Sequence, residues 1–102
     1  MAAKKLILVT SNGHPLDKVF REIVDEVSKE LQLESEVKLE DYAFLSDYGE
    51  KDDLGLAWLP QLLAQKTDDQ IVPILTQIPL DEKLKPDKAK GKEETIRKIK
   101  NL

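Results

Sequence analysis

The sequence predicts an α/β fold with its elements in the order β-α-β-α-β-β-α. Three observations carry that expectation. A short, β-branched apolar run, Lys5 to Thr10, stops at Ser11-Asn12-Gly13, a strong turn signal. Apolar residues then recur at spacings of three and four through Leu31, the period of a helix with one buried face. Beyond it, Val37 and Leu39 alternate with Glu36, Lys38 and Glu40, the period of a half-buried strand.

Taken in order, Lys5–Thr10 reads as a buried first strand. Pro15 suits the first turn of a helix, where a missing N–H leaves nothing unpaired, and Leu16, Val19, Phe20, Ile23, Val24, Val27 and Leu31 form that helix's inner face. Residues 36–44 read as the second strand. Asp47 to Asp53 reads as an acidic loop, with Asp52 or Asp53 placed to cap a second helix over Leu54–Gln65, kinked at Pro60. Residues 71–77 read as a third strand. Pro73 inside it argues for an edge, a bulge or a cis peptide. Ile78–Lys85 reads as a return strand, and residues 92–102 as a final helix with Ile96, Ile99 and Leu102 facing inward.

A chain of 102 residues is expected to form a single domain, 1–102, and can bury a core without disulfides or a metal. It contains no cysteine, which excludes thiol–disulfide exchange, thiolate zinc sites and a thiol nucleophile. Charged residues make up 35% of the chain, with Lys the commonest of them, a strongly ionic composition compatible with a heat-adapted protein. The net charge of −4 conceals a division: between Lys83 and Lys100 stand eight basic and three acidic residues, while the remainder is strongly acidic. The apolar run Leu6–Val9 is too short for a signal peptide or a membrane span, so a cytoplasmic location is expected.

The element order, with His14-Pro15-Leu16-Asp17 following the first strand and Val72-Pro73-Ile74-Leu75 opening the third, resembles the thioredoxin-like fold. In glutaredoxin-like and thioredoxin-like members a Cys-x-x-Cys opens the first helix, and a cis-proline precedes the third strand beside it. The resemblance implies a three-layer sandwich around a mixed central sheet. It places His14 and Asp17 at the two cysteine positions and Pro73 at the cis-proline. The ligand-binding residues it implies are therefore His14, Asp17, Val72 and Pro73. With no cysteine the fold carries over and the redox activity does not.

A helix N-terminus at this tip favours a neutral imidazole at His14 and a charged carboxylate at Asp17. No nucleophile completes a triad with them, so no catalytic residue is assigned. Asp41, Asp47, Glu50, Asp52 and Asp53 lack the ligand spacing and turn glycine of a calcium loop; no metal or cofactor is expected. The lysine-rich end holds no aromatic residue to stack on bases, so nucleic acid is not an expected partner, nor is a membrane. An acidic partner, or the acidic part of another copy, suits it better.

The leading expectation is thus a non-redox thioredoxin-like domain that binds a protein, peptide or small ligand. A protein partner or second copy would dock around Trp58, where the leucine-rich segment offers more apolar surface than one buried face needs. Two alternatives are a small enzyme acting on a phosphorylated or nucleotide substrate and a structural subunit of a larger assembly. The first rests on Thr10-Ser11-Asn12-Gly13, which is similar to the opening of the longer nucleoside-triphosphate pyrophosphatases of the non-canonical-purine type.

Overall fold

The computed structural model describes residues 2–102. Its elements are β1 (Ala3–Thr10), α1 (Asp17–Leu31), β2 (Glu34–Leu39), α2 (Tyr42–Tyr48), β3 (Gln61–Lys66), β4 (Ile71–Leu75) and α3 (Lys88–Lys100). The four strands form one mixed sheet in the order β2-β1-β3-β4. β1 pairs parallel with β2 and antiparallel with β3, and β3 pairs antiparallel with β4.

β1 is buried over most of its length, and the alternation of its side chains divides the core. Leu6 and Leu8 face α1 and α3, where they pack with Phe20, Ile23, Val27, Leu62, Leu75 and Ile99. Ile7 and Val9 face the other way, toward Leu63 and the α2 residue Leu45. Helices therefore cover both faces of the sheet. The expected periodicity of α1 is observed, with Phe20, Ile23, Val24 and Val27 buried.

Four expectations are corrected. Residues 54–65 are not a helix: Lys51–Pro60 is irregular, and Gln61–Lys66 is the strand β3. Its apolar run is too short for periodicity to separate strand from helix, and the open edges of β1 and β4 settle the matter by pairing with it. The second helix lies earlier, at α2, because Asp41 rather than Asp52 or Asp53 caps it; Asp41 Oδ1 accepts the Phe44 N–H at 3.0 Å. Ile78–Lys85 forms no strand and keeps only an isolated bridge between Leu80 and Pro86. α3 starts earlier than expected, at an N-cap from Asp87 to the Lys90 N–H.

β4, expected as the third strand, is the fourth, and it lies at the sheet edge with a register shift. Leu62 pairs with Leu75 and Leu63 with Pro73, so Ile74 is the extra residue of a bulge. Edge and bulge are two of the three settings that accommodate a strand proline. The third, a cis peptide, occurs instead at Leu59–Pro60, immediately before β3.

Candidate functional site

The turn between β1 and α1 is built from its own polar groups. His14 N–H donates to the Ser11 carbonyl at 3.1 Å, and Asp17 N–H to the His14 carbonyl at 3.1 Å. His14 Nδ1 accepts the Leu16 N–H at 3.0 Å, which requires that nitrogen to be unprotonated. Asp17, the first residue of α1, turns back beneath the helix. Its Oδ1 accepts from the buried Thr10 hydroxyl at 2.7 Å and from Arg21 Nε at 2.9 Å, while Arg21 Nη2 donates to Asn12 Oδ1 at 2.9 Å. Burial works against the Asp17 charge, but the hydrogen bonds from Thr10 and Arg21, with the guanidinium's charge, outweigh it and hold the carboxyl below its ordinary range. The side chains of Thr10, Asn12, Asp17 and Arg21 are thus engaged with one another.

His14 and Asp17 consequently serve different surfaces. Asp17 lines a groove of about 520 Å³ between α1 and β2, with Arg21, Ser35 and Val37. His14 lines a second groove, of about 450 Å³, with Leu16, Trp58, Leu59, Pro60, Thr76 and Ile78. Val72 and Pro73 line neither; they pair with Ala64 and Leu63 within the sheet. The juxtaposition of the first turn with a proline ahead of a strand is therefore present, but the proline is Pro60 and not Pro73. The Leu59-Pro60 step before the apolar run Leu62-Leu63-Ala64 has the same form in sequence as Val72-Pro73-Ile74-Leu75. Assigning residues 54–65 to a helix concealed it.

The far wall of the His14 groove is held by a set of hydrogen bonds. Gln61, at the start of β3, is fully buried, and its amide clamps the irregular segment before it. Oε1 accepts the Glu50 N–H at 2.9 Å, while Nε2 donates to the Glu50 and Trp58 carbonyls, each at 3.0 Å. Trp58 Nε1 donates to the Thr76 carbonyl at 2.9 Å, so the indole is fixed against the chain leaving β4. Thr76 Oγ1 donates in turn to Glu50 Oε2 at 3.0 Å. Asp52 Oδ1 accepts the Leu54 and Leu56 N–H groups, which shapes the exposed tip of the same segment. Among the described residues, the Leu59 N–H and C=O make no hydrogen bond.

The acidic residues that looked clustered in sequence have separate tasks: Asp41 caps α2, Glu50 meets Thr76 and Asp52 closes a turn. Among the described residues no group of three or more His, Cys, Asp or Glu is arranged to hold a metal ion. The basic C-terminal segment finds acids within its own chain. Lys88 meets Glu22 and Glu26 of α1, and Lys92 meets Glu26 and Glu30. The hydrogen bond to Glu26 raises the Lys88 ammonium above its ordinary range, and the same contact lowers Glu26. Among the described residues no helix is long and apolar enough to cross a membrane.

Comparison with protein-family models, with curated proteins and with solved structures finds no match for this chain.

Proposed function

We propose that this chain is a thiol-free domain of the thioredoxin-like fold that binds an extended peptide segment in the groove between His14 and Trp58. The observation that carries the reading is the convergence of the β1–α1 turn, the Leu59-Pro60 step and the fixed Trp58 indole on one groove. The element order and the strand order β2-β1-β3-β4 support the fold assignment.

The groove has the means to bind a peptide main chain. With Nδ1 accepting from Leu16, a neutral His14 carries its proton on Nε2, a donor for a ligand carbonyl. The Leu59 N–H and C=O offer a donor and an acceptor to an extended chain laid beside them, as in strand addition. Leu16, Trp58 and Ile78 supply apolar contact for alternate side chains. A peptide of mixed apolar and polar residues is the ligand these groups fit; Asp52 puts a carboxylate in the lining, and none of the lining groups offers the paired guanidinium of a phosphate clamp.

The test is a titration of the ¹⁵N-labelled chain with a pool of extended peptides, followed by amide shifts and by fluorescence of Trp58, the sole tryptophan. Binding at this site moves the His14, Trp58, Leu59, Thr76 and Gln77 resonances together. Movement confined to Lys83–Lys100, or none with any peptide while nucleotides shift the Ser11–Gly13 turn, rejects the reading.

A further inference from the structure

The sheet has two edges, and β2 differs from β4 in being nearly bare. Val37 is 42% exposed and Leu39 52% exposed, and among the described residues no strand pairs with β2 on its outer side. An uncovered edge strand is a template for pairing, and proteins usually blunt it with a proline, a bulge or charged side chains; the charges on β2, Glu34, Glu36 and Lys38, are of both signs. β4 has Pro73 and a bulge, whereas β2 has neither. Its side chains instead form a pattern that complements itself.

The direction of its free backbone groups follows from one bond. Glu40 N–H donates to the Thr10 carbonyl at 2.8 Å, so the Leu39 carbonyl in the same peptide unit points away from β1. The parallel register from Glu34 to Leu39 is unbroken, so Ser35, Val37 and Leu39 all turn their N–H and C=O outward. On the α2 side of the sheet stand Glu36 and Lys38, an acid and a base two residues apart. Hydrogen bonds from Lys5 and Lys38 hold the Glu36 carboxyl below its ordinary range, so it is charged at neutral pH.

We infer that two copies of this chain associate by antiparallel pairing of β2 with β2, about a two-fold axis at Val37, to form one continuous eight-stranded sheet. This register places Val37 opposite Val37 of the second copy and Ser35 opposite its Leu39. All the residues so paired are the ones whose backbone groups point outward, and they exchange hydrogen bonds as narrow antiparallel pairs. Glu36 then faces Lys38 of the second copy across the wider interval, where side chains approach closest, and the two-fold repeats the contact. Shifting the axis to Glu36 or Lys38 instead sets like charges against each other at the centre of the seam, whereas about Val37 the like-charged Glu34 and Glu40 lie beyond the paired residues. The pairing ends at Ser35 and Leu39, because Glu40 leaves the strand at φ 50°. On the opposite face the incoming Val37 and Leu39 lie along the groove beside α1, whose Lys18 and Arg21 precede Glu22 and Asp25. No residue lining the His14 groove belongs to β2, so the two sites are independent.

Sedimentation equilibrium over a concentration series tests this with Glu36→Lys, Lys38→Glu and Val37→Pro, each checked for fold by circular dichroism. The wild type is expected to show a reversible monomer–dimer equilibrium, which Val37→Pro abolishes by removing the N–H at the axis. Each charge reversal alone replaces attraction by repulsion and weakens association by about tenfold or more. Mixing the two reversed variants restores opposite charges across the seam and gives a heterodimer tighter than either variant alone. A wild type that stays monomeric throughout overturns the inference. So does association unchanged by both reversals, or a mixture no tighter than its components.

Discussion

Gln61 holds Glu50 by both of its backbone groups, accepting the N–H at 2.9 Å and donating to the C=O at 3.0 Å, eleven residues away in sequence. The amide does for the irregular segment what a neighbouring strand would do, and it does so at full burial. Replacing it with Leu keeps the volume near constant but leaves the Glu50 N–H and the Glu50 and Trp58 carbonyls to find other partners. The expected loss is about 2–4 kcal/mol in urea unfolding, accompanied by a shift in Trp58 emission.

Gly49 sits against the same amide. A Cβ there would stand 2.9 Å from Gln61 Oε1 and 3.0 Å from the Leu45 carbonyl, the second a backbone atom that cannot turn away. Gly49→Ala is expected to destabilise by about 1–3 kcal/mol through this overpacking. Gly13→Ala is the control: a Cβ at Gly13 meets nothing within 4 Å, and the change is expected to fall within about 0.5 kcal/mol of wild type.

Asp17 makes stability depend on acid. Burial opposes its charge, yet hydrogen bonds from Thr10 and Arg21 prevail and its folded pKa lies below the unfolded one. The folded state therefore binds fewer protons, and the contribution is present above about pH 4 and is lost as pH falls through the folded value. Urea midpoints measured down a pH series should fall less steeply in Asp17→Asn than in the wild type below about pH 4. Equal slopes would show that the carboxylate is not what the Thr10–Arg21 pair stabilises.

His14 offers separable roles on its two nitrogens. Asn at this position can present an oxygen near the place of Nδ1 and still accept the Leu16 N–H, but it has no counterpart of Nε2. His14→Asn is expected to melt within a few degrees of wild type while weakening peptide binding, followed by Trp58 fluorescence, by about tenfold. Unchanged affinity would remove His14 from the recognition of the ligand.

Much of the fold was open to inspection in the residues themselves. β1 and α1 are set by local pattern, a short apolar run stopped by Ser11-Asn12-Gly13 and then a face repeating from Leu16 to Leu31, and both stand where that pattern puts them. That the strand carrying Pro73 is no ordinary central strand also followed from chemistry, since proline has no N–H for an inner ladder; of edge, bulge and cis peptide, the first two are found there. The order of element types was right as well, although α2 and β3 occupy residues expected in other elements and β4 is the strand expected third. The capping signal for α2 was present at Asp41, three residues before Phe44, and was masked by reading strand periodicity onward to Phe44.

By itself, then, the sequence determined the absence of thiol chemistry, the first strand and helix, and the turn that presents His14. Those properties depend on composition or on neighbours a few residues away. Only the tertiary structure decided that Leu62-Leu63-Ala64 is a strand, because short apolar runs take the conformation that their partners complete, and here β1 and β4 complete a sheet. It likewise decided that Pro60 rather than Pro73 lies beside His14, and that Asp17 turns away from both to Thr10 and Arg21. A groove joins residues more than forty positions apart in the chain, and their meeting is set by strand order and by the Gln61 clamp, neither of which any local window contains.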